Sequence, residues 1–216
     1  MVPMDRRFVL ILLACLTLFV GLVFFLKKDA SAPSGGQSDA TSNHVQGEGT
    51  SGIALVEYGD FQCPACGAYY PIVKQVKEHY GDQITFQFRN FPIVSAHPNA
   101  MSAHRAAEAA HMQGKFWEMH DLLYENQESW SSSSNPAAIF RSYAEDLGLD
   151  LERYTTDLAR EEVADTIQAD LQAGKDIGVA ATPGFILDGK LIANNPRSLE
   201  DFIKLIDEAI ADKQNQ

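Results

Sequence analysis

The stretch Gly59-Asp60-Phe61-Gln62-Cys63-Pro64-Ala65-Cys66 sets two thiols three residues apart. A helix starting at Cys63 brings both sulfurs onto its first turn, close enough for a reversible disulfide with little backbone movement. Pro64 then occupies the first helical position, where its missing N–H costs nothing and its fixed φ suits the helix. Cys63 lies at the helix N-terminus, where unpaired backbone N–H groups and the positive end of the dipole favour a thiolate. That reading makes Cys63 the nucleophile and Cys66 its resolving partner. Position matters, because an ordinary thiol of pKa about 8.5 is only roughly 3% ionised at pH 7, whereas one below about 6 is mostly thiolate. Taken alone, the CxxC remains open to three other readings: half of a zinc site, a soft-metal clamp or a structural disulfide.

The flanks supply a frame. Residues 53–56 are a short apolar run of the kind a strand buried on both faces needs, and Glu57 and Tyr58 join it to the dithiol stretch. The helix that follows is predicted over residues 64–80, with Tyr69, Ile72, Val73 and Val76 on one face, Gly81 at its end and Pro71 kinking its middle. Residues 84–89 alternate apolar and polar side chains and read as a second strand with one face buried. Residues 95–176 show no strand pattern. They form an all-helical block with helices at 99–113 and 115–126, a third opened by Asn135-Pro136 and ended at Gly148, and two more at 151–158 and 161–173, the last closed by Gly174. Residues 184–187 and 190–192 flank Asp188-Gly189 and read as a hairpin with a two-residue turn. Ser198 opens the last helix in a capping box with Asp201, and Leu199, Phe202, Ile203, Ile206 and Ile210 form its buried stripe.

Of the 216 residues, 45% are hydrophobic and 21% charged, which suits one main globular domain with an appendage. Beyond residue 28 there are 13 basic against 28 acidic residues. A net charge of −15 repels phosphate backbones, so nucleic acid is excluded as a partner. There are three cysteines, and with Cys63 and Cys66 committed to each other, Cys15 has no partner and no disulfide framework exists.

Residues 8–26 are 19 consecutive residues without charge, about 28 Å as a helix, against a hydrocarbon core of about 30 Å. Residues 1–28 are therefore expected to be an uncleaved, single-pass membrane anchor. Arg6 and Arg7 before the run balance Lys27 and Lys28 after it, so the positive-inside count does not orient it, and the N-terminal amine tips it towards N-in. A cleaved signal peptide is disfavoured because Ala30-Ser31-Ala32 is followed by Pro33 and separated from the apolar run by two lysines. Leu12-Leu13-Ala14-Cys15 resembles a lipoprotein box, but the run continues eleven residues past Cys15, which leaves Cys15 as an inert thiol. Residues 29–52 are rich in Ser, Gly, Ala and Thr and read as a flexible linker with a reach on the order of 26 Å.

Phe61-Gln62-Cys63-Pro64-Ala65-Cys66, the later Gly114-Lys115-Phe116-Trp117, and Gly178-Val179-Ala180-Ala181-Thr182-Pro183 ahead of a hairpin together resemble the DsbA-like family of bacterial extracytoplasmic thiol–disulfide oxidoreductases. The resemblance covers residues 53–211. It implies an α/β thioredoxin fold at residues 53–212 with an all-helical insertion at about 95–176. It also implies that Thr182-Pro183 is a cis-proline loop packed beside the dithiol, offering its backbone to an extended substrate strand while the ring discourages a metal from joining the thiols. By the same resemblance Glu57, six residues before Cys63, is a buried acid that carries the proton to and from Cys66. Asp60 reads as a turn residue and Pro71 as the helix proline of thioredoxins.

Strongly oxidising members carry histidine where this chain has Ala65. Its loss should raise the Cys63 pKa and weaken the disulfide as an oxidant, giving a potential between about −120 and about −270 mV. His97, His104, His111 and His120 do not converge at a spacing that suggests a metal, and Trp117 and Trp130 read as packing. No metal and no cofactor are expected. The expected function is a membrane-tethered, monomeric dithiol oxidase on the extracytoplasmic side of the cell membrane, acting on thiols of exported proteins and recycled by a redox partner. The same residues would also serve a reductase or isomerase, and a copper-binding chaperone is the competing class.

Overall fold

The computed structural model describes residues 41–215. Five strands form one sheet in the order β1-β3-β2-β4-β5: β1 (His44–Gln46), β2 (Ile53–Gly59), β3 (Ile84–Asn90), β4 (Gly184–Leu187) and β5 (Lys190–Leu191). The helix α1 (Pro64–Tyr80) crosses from β2 to β3, which run parallel from Ile53↔Ile84 to Gly59↔Asn90. β4 returns antiparallel beside β2, pairing Glu57 with Phe185. A helical insertion separates β3 from β4: α2 (Ala100–His111), α3 (Phe116–Glu125), α4 (Gln127–Ser131), α5 (Pro136–Asp146), α6 (Leu151–Asp157) and α7 (Glu161–Asp176). The last helix, α8 (Leu199–Gln214), packs on α1 and β2. This is the expected α/β thioredoxin architecture with its insertion.

The central strand β2 and its neighbours β3 and β4 carry their apolar residues into covered faces: Ile53, Leu55 and Tyr58 of β2, Phe86 and Phe88 of β3 and Phe185 of β4 are buried. Phe202 of α8 meets Phe185 edge-on at 5.1 Å. The hairpin turn has φ 45° at Asp188 and 79° at Gly189, the two left-handed positions that a tight hairpin demands.

Four expectations are corrected. Residues 41–52, read as the end of a flexible linker, are built into the domain. β1 pairs antiparallel with β3, the Ser42 N–H donates to Asp170 Oδ1 at 2.9 Å, and His44 Nε2 bonds Glu108 Oε1 at 2.8 Å while its ring stacks 3.4 Å from Phe116. Low apolar content does not release this segment, because buried polar bonds hold it in place. Gly174 does not close α7. It sits inside the helix because a Cβ there would lie 2.8 Å from the Phe91 and Tyr58 side chains, and the left-handed closure falls at Gly178 with φ 95°. Asn135 gives α5 no side-chain cap, although Pro136 does open the helix. In the last capping box, Ser198 Oγ accepts from the Asp201 N–H as expected, but the Asp201 carboxylate reaches the Arg197 N–H instead of that of Ser198. The expected anchor at residues 1–28 and the part of the expected linker up to residue 40 lie outside the described residues. Among the described residues no helix is long and apolar enough to cross a membrane.

Candidate active site at the start of α1

Strand β2 ends at Gly59, and a tight turn hands the chain to α1. Asp60 makes that turn. Its Oδ1 accepts the Gln62 N–H at 2.8 Å, and its Oδ2 accepts the Ile93 N–H at 2.8 Å and meets His97 Nδ1 at 2.7 Å. Cys63 is the residue flanking the helix, at φ −68° and ψ 121°, and Pro64 follows at the first helical position. No side chain caps this end, so its N–H groups remain directed at the Cys63 sulfur.

The two thiols differ sharply. Cys63 is 8% exposed and Cys66 0%. The hydrogen bond with Cys66 is the main influence on Cys63 and outweighs desolvation; with contributions from Thr182 and the N–H groups of Cys66 and Ala65, it pulls the Cys63 pKa down to about 5. Burial pushes the Cys66 thiol well up, reinforced by its bond to Cys63 and the nearby Glu57. Cys66 Sγ also accepts the Asp60 N–H, at 3.5 Å. One sulfur is thus ionised at neutral pH and the other holds its proton, which is the asymmetry that directed thiol exchange needs.

Thr182-Pro183, 119 residues away, lies across from this pair. The peptide bond is cis, and Cys63 Sγ lies 3.5 Å from the Thr182 carbonyl oxygen, to which it donates only in its protonated form. Asn195 Nδ2 donates to the Pro183 carbonyl at 2.6 Å and anchors the loop. Glu57 is buried on β2, where desolvation pushes its carboxyl up to about 8 against the pull of Lys77. Lys77 projects from α1 with its ammonium 5.1 Å from the Phe86 ring centre and 4.8 Å from that of Trp117. Pro64 and Ala65 lie between Cys63 and Cys66 on the first turn of α1, the Thr182 carbonyl approaches Cys63, and Glu57 lies near enough to act on the Cys66 thiol.

Sequence reasoning missed the contribution of the insertion. Gln127 Nε2 donates to the carbonyls of Phe61 at 2.7 Å and Cys63 at 2.9 Å, so α4 grips the dithiol turn. Gln62 Nε2 donates to the Ser131 carbonyl, and Gln62 Oε1 accepts the Asn99 N–H. Gly67 leaves the space that Gln127 fills. Only a residue-by-residue register between two distant segments could have revealed these bonds. A groove of about 810 Å³ runs from Pro64 and Gly67 to Glu125, Glu128 and Ser131 beside the dithiol.

The histidines take structural places. His104 and His120 are buried, and burial pulls both pKa values down to about 4, so both are neutral at pH 7. His104 Nδ1 meets Asn90 Oδ1 at 2.6 Å, and His111 packs edge-on against His44. Among the described residues no group of three or more His, Cys, Asp or Glu is arranged to hold a metal.

A dithiol at the N-terminus of a helix, delivered by a central strand and faced by a cis X-Pro loop, defines a thioredoxin-fold dithiol protein. The thioredoxin family model matches residues 39–208, and the chain belongs to that family. Its architecture, with the helices inserted between β3 and β4, is DsbA-like: the fold superposes on BdbD from Bacillus subtilis with TM-score 0.67 and 22% identity, covering 77% of this chain and 92% of that one. It also superposes on alpha-DsbA1 from Wolbachia pipientis with TM-score 0.68 and 18% identity, covering 78% and 91%. A curated relative, the Na(+)/H(+) antiporter NhaA 3 of Salinispora tropica, is 40% identical over 152 residues, which is 70% of this chain and 22% of that protein. The chain thus spans about a fifth of the length of that relative.

Proposed function

We propose that this chain is a thiol–disulfide oxidoreductase that forms disulfides in exported proteins, tethered as a monomer to the outer face of the cell membrane by residues 1–28. The observation that carries the reading is the asymmetry of the thiols, Cys63 low in pKa and still 8% exposed, Cys66 high in pKa and fully buried. In the oxidised form a substrate thiolate attacks Cys63 Sγ, the Cys63–Cys66 bond breaks, and its electron pair leaves on Cys66 Sγ. Glu57, still protonated at pH 7 with a pKa of about 8, gives Cys66 its proton. A second substrate thiolate then attacks the substrate sulfur of the mixed disulfide, forms the substrate disulfide and releases Cys63 as a stabilised thiolate. Two electrons pass from substrate to protein, and a membrane or soluble redox partner must remove them. Thr182 and Pro183 border the sulfur under attack and are assigned to hold the substrate strand.

Ala65 favours a second direction. Without an imidazole beside the thiolate, the reduced form is less stabilised than in strong oxidants, and a reducing partner would turn the same site into a reductase or isomerase. The test incubates the oxidised full chain with a peptide carrying two cysteines. Stoichiometric transfer of the disulfide to the peptide supports the oxidase reading. Failure of transfer, with ready reduction of peptide disulfides by the reduced chain, overturns it.

A further inference from the structure

Tyr124 lies in α3 of the insertion and packs against the dithiol turn at Gly59 and Phe61. Its side chain is 6% exposed, its ring packs among Phe61 and Tyr70 with centres 5.0 and 5.4 Å away, and its hydroxyl has no hydrogen-bond partner among the described residues. A buried hydroxyl without a partner is costly, and native structures rarely keep one without use. The hydroxyl is admitted by Gly59, since a Cβ at that position would lie 2.9 Å from Tyr124 Oη. The next residue, Asp60, supplies the N–H that holds Cys66 Sγ at 3.5 Å. Tyrosine hydroxyl and Cys66 sulfur therefore lie against the same backbone step, Gly59–Asp60. Glu57 is two residues back on the same face of β2.

We propose that Tyr124 is a positioning residue for Cys66, its neutral hydroxyl donating a hydrogen bond, directly or through one water, to the Cys66 thiolate formed when the disulfide opens. The inference rests on the exchange mechanism above and adds the group that receives the leaving sulfur. When the bond between Cys63 and Cys66 breaks, the electron pair lands on a fully buried sulfur whose other donor is one long backbone N–H. Tyr124 O–H stabilises that charge until the Glu57 proton arrives, and remains a phenol throughout. Burial, together with the charges of Cys66, Glu57, Asp60 and Cys63, pushes its pKa well above the ordinary value and keeps it a donor. Because the same bond would raise the thiolate fraction of Cys66 in the reverse direction, both directions accelerate and the equilibrium is unmoved.

The test is Tyr124→Phe in the full chain, with glutathione as the attacking thiol. Reduction of the oxidised variant is expected to be about tenfold slower than that of the wild type. Its equilibrium constant with glutathione should be unchanged, and the unfolding temperature of its reduced form unchanged or higher, because an unpartnered hydroxyl has been removed. An unchanged rate overturns the proposal. So does a joint fall of rate, equilibrium constant and unfolding temperature, which marks a merely structural tyrosine. Glutathione needs no protein substrate, so this outcome is separate from that of the peptide test, which uses the chain with Tyr124 intact.

Discussion

Replacing Glu57 by Gln removes a buried ionisable group while keeping its shape, and the consequence depends on pH in a calculable way. The carboxyl has a pKa of about 8 in the folded chain against 4.5 for the free group, through burial opposed by Lys77. The folded state therefore holds the proton more tightly than the unfolded one. Its stabilising contribution is fully present below about pH 4.5 and is lost as pH rises through about 8. At about 1.4 kcal/mol per tenfold change in ionisation, the full span is worth about 5 kcal/mol, of which about 3 kcal/mol falls between pH 5 and pH 8. The Gln amide carries its own burial cost, but that cost does not vary with pH. Urea unfolding of both reduced proteins at pH 5 and pH 8 isolates the difference. The stability of Glu57→Gln relative to wild type should improve by about 3 kcal/mol from the lower to the higher pH. A difference that stays flat, or improves toward acid, refutes a protonated buried Glu57 and with it the assigned proton donor.

Three other substitutions probe the frame. His44→Ala strips Glu108 of a buried partner and Phe116 of its stacked ring, and should cost about 3 kcal/mol in urea unfolding, whereas a linker residue would cost nothing. Gly174→Ala drives a methyl against Phe91 and Tyr58; overpacking of about 1–3 kcal/mol should exceed the helix-propensity gain of about 1 kcal/mol and lower the unfolding temperature. Ala65→His should lower the Cys63 pKa below about 5, as read by thiolate absorbance. It should also move the potential from within the interval of about −120 to −270 mV toward its oxidising end.

The dithiol turn and its helix were legible because each carries a local signature, cysteine spacing and a proline at a helix start, whereas the distant Thr182-Pro183 loop was legible only through the family resemblance. Glu57 was legible through resemblance alone, since nothing local distinguishes a buried strand acid from an exposed one. The segment ending in β1 escaped because it is held by polar bonds from Ser42 and His44 to Asp170 and Glu108, and composition measures only apolar burial. Asp170 also binds Arg89 and Asn90, a convergence of three distant segments that no sequence period reveals. Gln127 and Tyr124 escaped for the same reason. They act on the dithiol from an inserted domain, and their register against Phe61 and Gly59 is set by tertiary packing. Gly174 misled because glycine marks both a helix end and a close approach, and only Phe91 and Tyr58 decide which.

The central claim, that Cys63 attacks and is attacked while Cys66 resolves, is tested most directly by expressing the full chain with Cys66→Ala in intact cells and isolating its covalent adducts. The account predicts reducible mixed disulfides joined through Cys63 to exported proteins. Absence of adducts, or adducts joined only through Cys15 or only to cytosolic proteins, would contradict it.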